Sequence, residues 1–278
     1  MAKNGVPAKR DKNEVAKPMD YEEFSGRGFQ NQTQEDLALP MINLLQSNSP
    51  EVDKKDEKYV EGAEAGMFIN SVTKELYTEI EMVPAITRHR FIEWVPRKLG
   101  GGLVGFHPIG SDAVKAAKDA STKFGKYKHG ENDLVETFEI FGILSIDGKP
   151  AGMAVVPFAS TKIKSYKHIM GRLNSFQLGL DKKGNVAEDD ALIVRRVSPP
   201  LFAHTIKISS IGDKNAEGSF YKTVVKPAVE NDVKKSIVGT DDPRFKLAAE
   251  CERLVNAGRA DADYSSQNRT EEDEELPF

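Results

Sequence analysis

The residues whose types invite chemistry are five histidines, one cysteine and a short acidic run. Their spacing says how much chemistry each could do. His89, His107, His129, His168 and His204 lie far apart, with neither HxH nor HExxH spacing. No zinc or metallohydrolase centre is therefore expected. Cys251 is the only cysteine, which excludes a disulfide or a cysteine zinc site within one chain and fits a reducing compartment. It falls on the apolar side of a predicted helix and reads as packing rather than as a nucleophile. Glu188-Asp189-Asp190 could serve a two-metal nuclease. Following Asp181-Lys182-Lys183-Gly184-Asn185, it reads instead as an exposed acidic loop. No GxxxxGKS or GxxxxGKT phosphate loop occurs, and the triple glycine Gly100-Gly101-Gly102 runs into Leu103. The expectation is a protein that is not an enzyme, with no cofactor and no metal.

Bases interleaved with aromatics point elsewhere. Unpaired nucleotides are held by cations that follow the phosphates and by rings that stack on bases, each stack worth ~1–3 kcal/mol. Arg88-His89-Arg90-Phe91-Ile92-Glu93-Trp94-Val95-Pro96-Arg97-Lys98 is the foremost such stretch. As a strand it would put Arg90, Ile92 and Trp94 on one face, an indole beside a guanidinium. The sequence leaves open whether Trp94, the single tryptophan, stacks on DNA or packs in the core. A second cluster is Lys123-Phe124-Gly125-Lys126-Tyr127-Lys128-His129, and a third surrounds a predicted helix through Lys162, Lys164, Lys167, His168 and Arg172. Each has a bland counterpart, a solvated lysine-rich turn or the wet side of a helix. The expected DNA contacts are Arg88, Arg90, Trp94, Arg97, Lys98, Lys126, Tyr127, Lys128, Lys162, Lys164, Lys167 and Arg172.

Charge is segregated along the chain. The segment Asp261–Phe278 carries seven acids against Arg269, so the whole chain's −4 divides into −6 there and +2 before it. Its last residues are Glu271-Glu272-Asp273-Glu274-Glu275-Leu276-Pro277-Phe278. Five consecutive carboxylates stay solvated and imitate a phosphate backbone. A terminal ring beside a free carboxylate is a compact docking tag.

This tip resembles that of bacterial single-stranded DNA-binding proteins, which end in consecutive aspartates and Ile-Pro-Phe, and that of phage-type counterparts with acidic tails ending in phenylalanine. Leu276 stands where those have isoleucine. The blocks LPMINLLQSNSPEV and FIEWVPRKLGGGLVGFHP also resemble a phage-encoded group of replication or recombination proteins. The resemblance implies a tail, Glu271 to Phe278, that recruits replication or recombination proteins and competes with DNA for a basic groove.

The elements that must position these residues are mostly strands. Gly66–Asn70, Leu76–Ile86, Arg90–Val95, Leu103–Phe106, Val135–Ile146, Ala151–Phe158 and Leu201–Ser209 read as strands. Asp147-Gly148 reads as a hairpin turn and Gly212–Gly218 as a loop. Helices are predicted over Asp112–Lys123 and Thr161–Phe176, and from the cap Asp242-Pro243 to Gly258. The expected fold is α+β and β-rich, an OB-type barrel elaborated with helices; the barrel rests on the family analogy. It would span 37–258, after a disordered polar arm at 1–36 and before a flexible acidic tail at 259–278. There is no apolar run long enough for a membrane span and no secretory pattern, so the cytoplasm of a bacterium or phage-infected host is expected. The function expected is coating of single-stranded DNA in replication or recombination, with self-association left open. The alternatives are a DNA-free interaction protein (a virion component or nucleic-acid-mimicking inhibitor) and an annealing recombinase.

Overall fold

The computed structural model describes residues 39–264 apart from 123–124, 188 and 216–217, and the side chains of Arg97 and Asn215 are also outside that description. The polar arm 1–36 and the tip Glu271–Phe278 lie outside the described residues.

Two long strands set the frame. β4 (Glu79–Trp94) and β7 (Asn132–Ile146) pair antiparallel from Glu81 opposite Ser145 to Trp94 opposite Asp133. The two pieces expected at Leu76–Ile86 and Arg90–Val95 are thus largely one strand, because Thr87, Arg88 and His89 keep pairing with Ile140, Glu139 and Phe138. A bulge lies between Pro84 and Ile86, where a residue without an N–H costs the ladder least. The extra residue flips the alternation, so Val83 and Ala85 share a face with Ile92 and Trp94.

Each long strand carries two partners on its outer side. β11 (Ile206–Asn215) lies along the start of β4 and pairs in turn with β12 (Gly218–Pro227); β5 (Leu103–Pro108) lies along the end of β4. β6 (Tyr127–His129) and β8 (Lys149–Ala159) flank β7 in the same way. The β7–β8 hairpin turns on Asp147 and Gly148, both at positive φ (51° and 74°), as a tight primed turn requires. The loop expected over Gly212–Gly218 is mostly strand. Polar residues suit this exposed edge, where Lys222 Nζ lies 2.7 Å from Asp213 across the ladder.

A three-stranded sheet, β1 (Ile42–Leu44), β2 (Phe68–Asn70) and β3 (Leu76–Tyr77), and a two-stranded one, β9 (Leu178–Leu180) and β10 (Arg195–Val197), accompany the main sheet. The helices are α1 (Asp112–Ala120), α2 (Ile163–Ser175) and α3 (Pro243–Asn256). Asp242 caps α3 by accepting from the Arg244 N–H, with Pro243 inside the first turn. The fold is β-rich α+β.

Each face of the main sheet has its own core. On one, Val83, Ile92, Trp94, Phe141 and Val155 meet Ala248, Cys251, Leu254 and Val255 of α3. Burial there pushes the Cys251 thiol up to about 12, away from nucleophilic use. Ala260, Ala262 and Tyr264 complete this core, which corrects the boundary expected at 259. Gly258, at φ 72°, turns the chain back after the helix, and Ala262 bridges to Leu39. On the other face, Met82, Phe138, Ile140 and Phe158 meet Tyr166, Ile169 and Leu173 of α2. Beyond them α1 sets Val114 and Ala117 on Phe91, Tyr127 and Leu134.

Candidate nucleic-acid interface

The foremost basic-aromatic stretch is turned inward. Arg90, Ile92 and Trp94 do share a face of β4, but that face is the α3 side, where Ala260, Ala262 and Tyr264 pack. Trp94 is 5% exposed and stands edge-on to the Tyr264 ring. Arg90 is buried, with Nη2 at 2.8 Å from Glu139 Oε1 and 3.0 Å from Asp261 Oδ1, and its guanidinium lies 3.9 Å over the Phe106 ring. Arg88 Nη1 is 2.5 Å from Asp261. Trp94 is thus mostly packed in the core, and Arg90 and Arg88 are ion-paired with carboxylates distant in sequence. Arg97 has no described side chain, and Lys98 is exposed on a short turn after β4.

The second cluster is divided. Lys123 and Phe124 lie outside the described residues, and Lys126 is exposed. Tyr127 is buried, its ring edge-on to Phe91. Lys128 Nζ is 2.5 Å from Asp133, its neighbour across the β6–β7 ladder.

The third cluster is the one without acidic partners among the described residues, although Lys167 Nζ lies 5.4 Å from the Phe138 ring centroid. Exposed Lys164, Lys167 and His168 follow helical spacing along the outer side of α2, whose inner side holds Tyr166, Ile169 and Leu173. None of Lys162, Lys164 and Lys167 has an acidic partner among the described residues, and Arg172 donates only to Asn231, through its side-chain oxygen (2.7 Å) and its carbonyl (2.8 Å). The sequence explains this freedom. Between Asp147 and Asp181 there is no acid, while Lys149, Lys162, Lys164, Lys167 and Arg172 fall in that span. This acid-free run was the signal that could have ranked the helix first.

Depressions lie at both ends of the stripe. Lys162, just before α2, lines a cleft of about 400 Å³ with Lys58 and Lys74. Ile92, Trp94, Val135 and Tyr264 form its apolar floor, and Glu51 is the acid on its wall. At the far end Arg172 and Phe176 join Arg196 of β10 around a shallow, open hollow. At 1.5 Å per residue the helix between them is roughly 20 Å long, the reach of a few extended nucleotides. Lys58, Lys74, Phe176 and Arg196 gave no local pattern in the sequence.

On the α1 side of the sheet, two of the scattered histidines meet a carboxylate. His107 Nε2 lies 2.6 Å from Glu93 Oε2, His129 Nδ1 lies 3.0 Å from Glu93 Oε1, and Asn132 Nδ2 donates to Oε1 at 2.7 Å. Burial would raise the Glu93 carboxyl, but hydrogen bonds from Asn132, His107 and His129 hold it below the usual range.

Fold and surface together define a β-rich α+β protein with one helix face whose lysines have no acidic partner among the described residues. The chain belongs to the Pam3 phage gp34-like protein family, whose sequence profile matches residues 8–261. No curated protein and no solved structure matches it.

Proposed function

We propose that the protein binds single-stranded DNA during phage replication or recombination, without catalysis of its own, along the outer face of α2. The observation that carries this reading is the acid-free stripe of Lys162, Lys164 and Lys167, joined to a lysine-rimmed cleft at one end and an arginine-lined hollow at the other. Cations on one face with no carboxylate among the described residues to neutralise them attract a polyanion and release its counterions on binding. The acidic segment Glu271–Glu275 competes with DNA for this face, and Leu276-Pro277-Phe278 docks partner proteins. In this reading the body acts as an OB-type barrel whose small sheet spans the gap between β8 and β12. Two contacts support that closure: Val155 N–H donates to the Pro40 carbonyl, and Gln46 exchanges two hydrogen bonds with the Tyr221 backbone.

The test is a salt series of single-stranded oligonucleotide titrations followed by Trp94 emission, which reports from the cleft floor. Combining K162A, K164A and K167A should weaken binding and lower the log–log salt slope by about 2, at about 0.7 per phosphate contact. Arg88→Ala, which removes a paired cation, should leave the slope unchanged, and deletion of residues 271–278 should tighten binding. An unaltered slope in the triple variant, equal affinity for duplex, or no oligonucleotide binding would overturn the proposal.

A further inference from the structure

Glu93 and Glu139 are both buried carboxylates, and they project from opposite faces of the β4–β7 pair. A buried carboxylate needs a cation or several hydrogen-bond donors to keep its charge. Glu139 has Arg90. Among the described residues no arginine or lysine lies within ion-pair distance of Glu93, and its neighbours are two imidazoles and an amide.

Strand register brings this set together. Gly105 of β5 stands opposite Glu93, and a Cβ built there would meet nothing within 4 Å. The Glu93 carboxylate reaches along the β4–β5 ladder to His107, two residues further along β5. On the other side His129 and Asn132 are cross-strand partners at the tip of the β6–β7 hairpin. Three strands thus each contribute one ligand atom, and these atoms all lie within 4.8 Å of one another.

We propose that Glu93, His107 and His129 form a binding site for a single first-row divalent metal ion of the Zn2+ type. With bonds of about 2.0–2.1 Å, a tetrahedral ion sets its ligand atoms roughly 3.3 Å apart. The Glu93 contacts, 2.6 Å to Oε2 and 3.0 Å to Oε1, need to open by about 0.7 and 0.3 Å to reach that spacing. Two imidazoles and one carboxylate suit Zn2+, Fe2+ or Co2+ and disfavour Mg2+ and Ca2+, which seek oxygen. Asn132 acts from behind, donating to Glu93 Oε1 and fixing the carboxylate's orientation. The His129 side chain is 49% exposed, so an ion has access from solvent, and positions on it remain open to water or an anion. Occupied, the site would tie β5 and β6 to the end of β4.

The experiment uses the full chain and two probes, Zn2+ by calorimetry and Co2+ by visible absorption. One ion per chain, a rise in Tm and a Co2+ ligand-field spectrum of four- or five-coordinate type are expected, with no comparable Mg2+ binding. His129→Ala, at an exposed hairpin tip, should weaken Zn2+ at least tenfold and abolish the Tm rise. His107→Ala should do the same, and circular dichroism of the metal-free variants checks that they fold. His168→Ala, on α2, should change nothing. If Zn2+ fails to bind stoichiometrically, or binds equally well to both His107→Ala and His129→Ala, the three side chains are a hydrogen-bonded cluster and the assignment is wrong.

Discussion

Arg90 and Glu139 make the sharpest stability prediction, because the structure gives each partner a different fallback. The Glu139 side chain is fully buried, and its Oε1 accepts from Arg90 and from the Tyr264 hydroxyl, each at 2.8 Å. Its other oxygen and Arg90 Nε have no hydrogen-bond partner among the described residues. Breaking a buried pair by removing one member typically costs ~3–5 kcal/mol, since the survivor stays buried and uncompensated. In Glu139→Leu, Arg90 keeps half-exposed Asp261 and the Phe106 face, so the loss should lie near the lower limit, about 3 kcal/mol. In Arg90→Met, Glu139 keeps one hydrogen bond from a neutral hydroxyl and the charge of its cross-strand neighbour Arg88, and at neutral pH the loss should be larger, toward ~5 kcal/mol. The double variant puts two apolar chains of similar volume into one site and should recover most of either loss. The single variants should also differ in pH dependence. Burial already pushes the Glu139 carboxyl up in the folded protein despite Arg90, and without Arg90 it rises further. The folded form then holds a proton that the unfolded chain releases, so Arg90→Met should lose stability as pH rises and regain it as pH falls through that window. Glu139→Leu should show no such relief, because a guanidinium keeps its proton. Urea unfolding of the four proteins at several pH values measures all of this. An Arg90→Met loss below about 1 kcal/mol, or a double variant as unstable as the worse single one, would refute the assigned energetics.

Two further predictions follow from packing. His204 is buried with Nδ1 unpartnered, and desolvation lowers its ring to about 4. Between pH 6.5 and 4 the unfolded chain therefore binds a proton that the folded one refuses. At about 1.4 kcal/mol per pH unit, stability should fall by roughly 3 kcal/mol across that window on acidification, and His204→Leu should remove this component from a urea-midpoint titration. An alanine Cβ at Gly142 would stand 2.4 Å from the Val83 carbonyl oxygen and 2.9 Å from Pro84 Cα, both backbone atoms at the β4 bulge. Gly142→Ala should cost ~1–3 kcal/mol or more in thermal unfolding. At Gly212, where a Cβ meets nothing, alanine should shift stability by less than about 0.5 kcal/mol. Similar losses at the two glycines would mean that backbone entropy, not the clash, sets the cost.

Secondary structure was legible where local chemistry decides it. The Asp242-Pro243 cap, the spacing of Tyr166, Ile169 and Leu173, and the Asp147-Gly148 turn each act within a few residues, and each element formed there. Strand continuity was less legible. Thr87, Arg88 and His89 lack apolar alternation, yet they pair because β7 lies alongside. The end of the folded body was missed for a related reason. Ala260, Ala262 and Tyr264 sit among acids, and only the cavity left by α3 and Leu39 shows that their alternation has something to fill.

The basic residues show why charge counts along a chain rank surfaces poorly. Alternation placed Arg90 and Trp94 on one face but could not say what covers that face. The carboxylates that neutralise Arg90 come from β7 and from beyond α3, 49 and 171 residues away. A strand exposes its flanks to every partner the topology supplies, so its net local charge is set elsewhere. A helix on the outside of a sheet has fewer such partners, and α2 lies in a span with no acid of its own. Its lysines have no acidic partner among the described residues because no described neighbouring element delivers a carboxylate to that side. The same reasoning separates the two buried glutamates. Residues remote in sequence gave Glu139 a guanidinium, while Glu93 received two imidazoles, which can hold a cation that the chain itself does not carry.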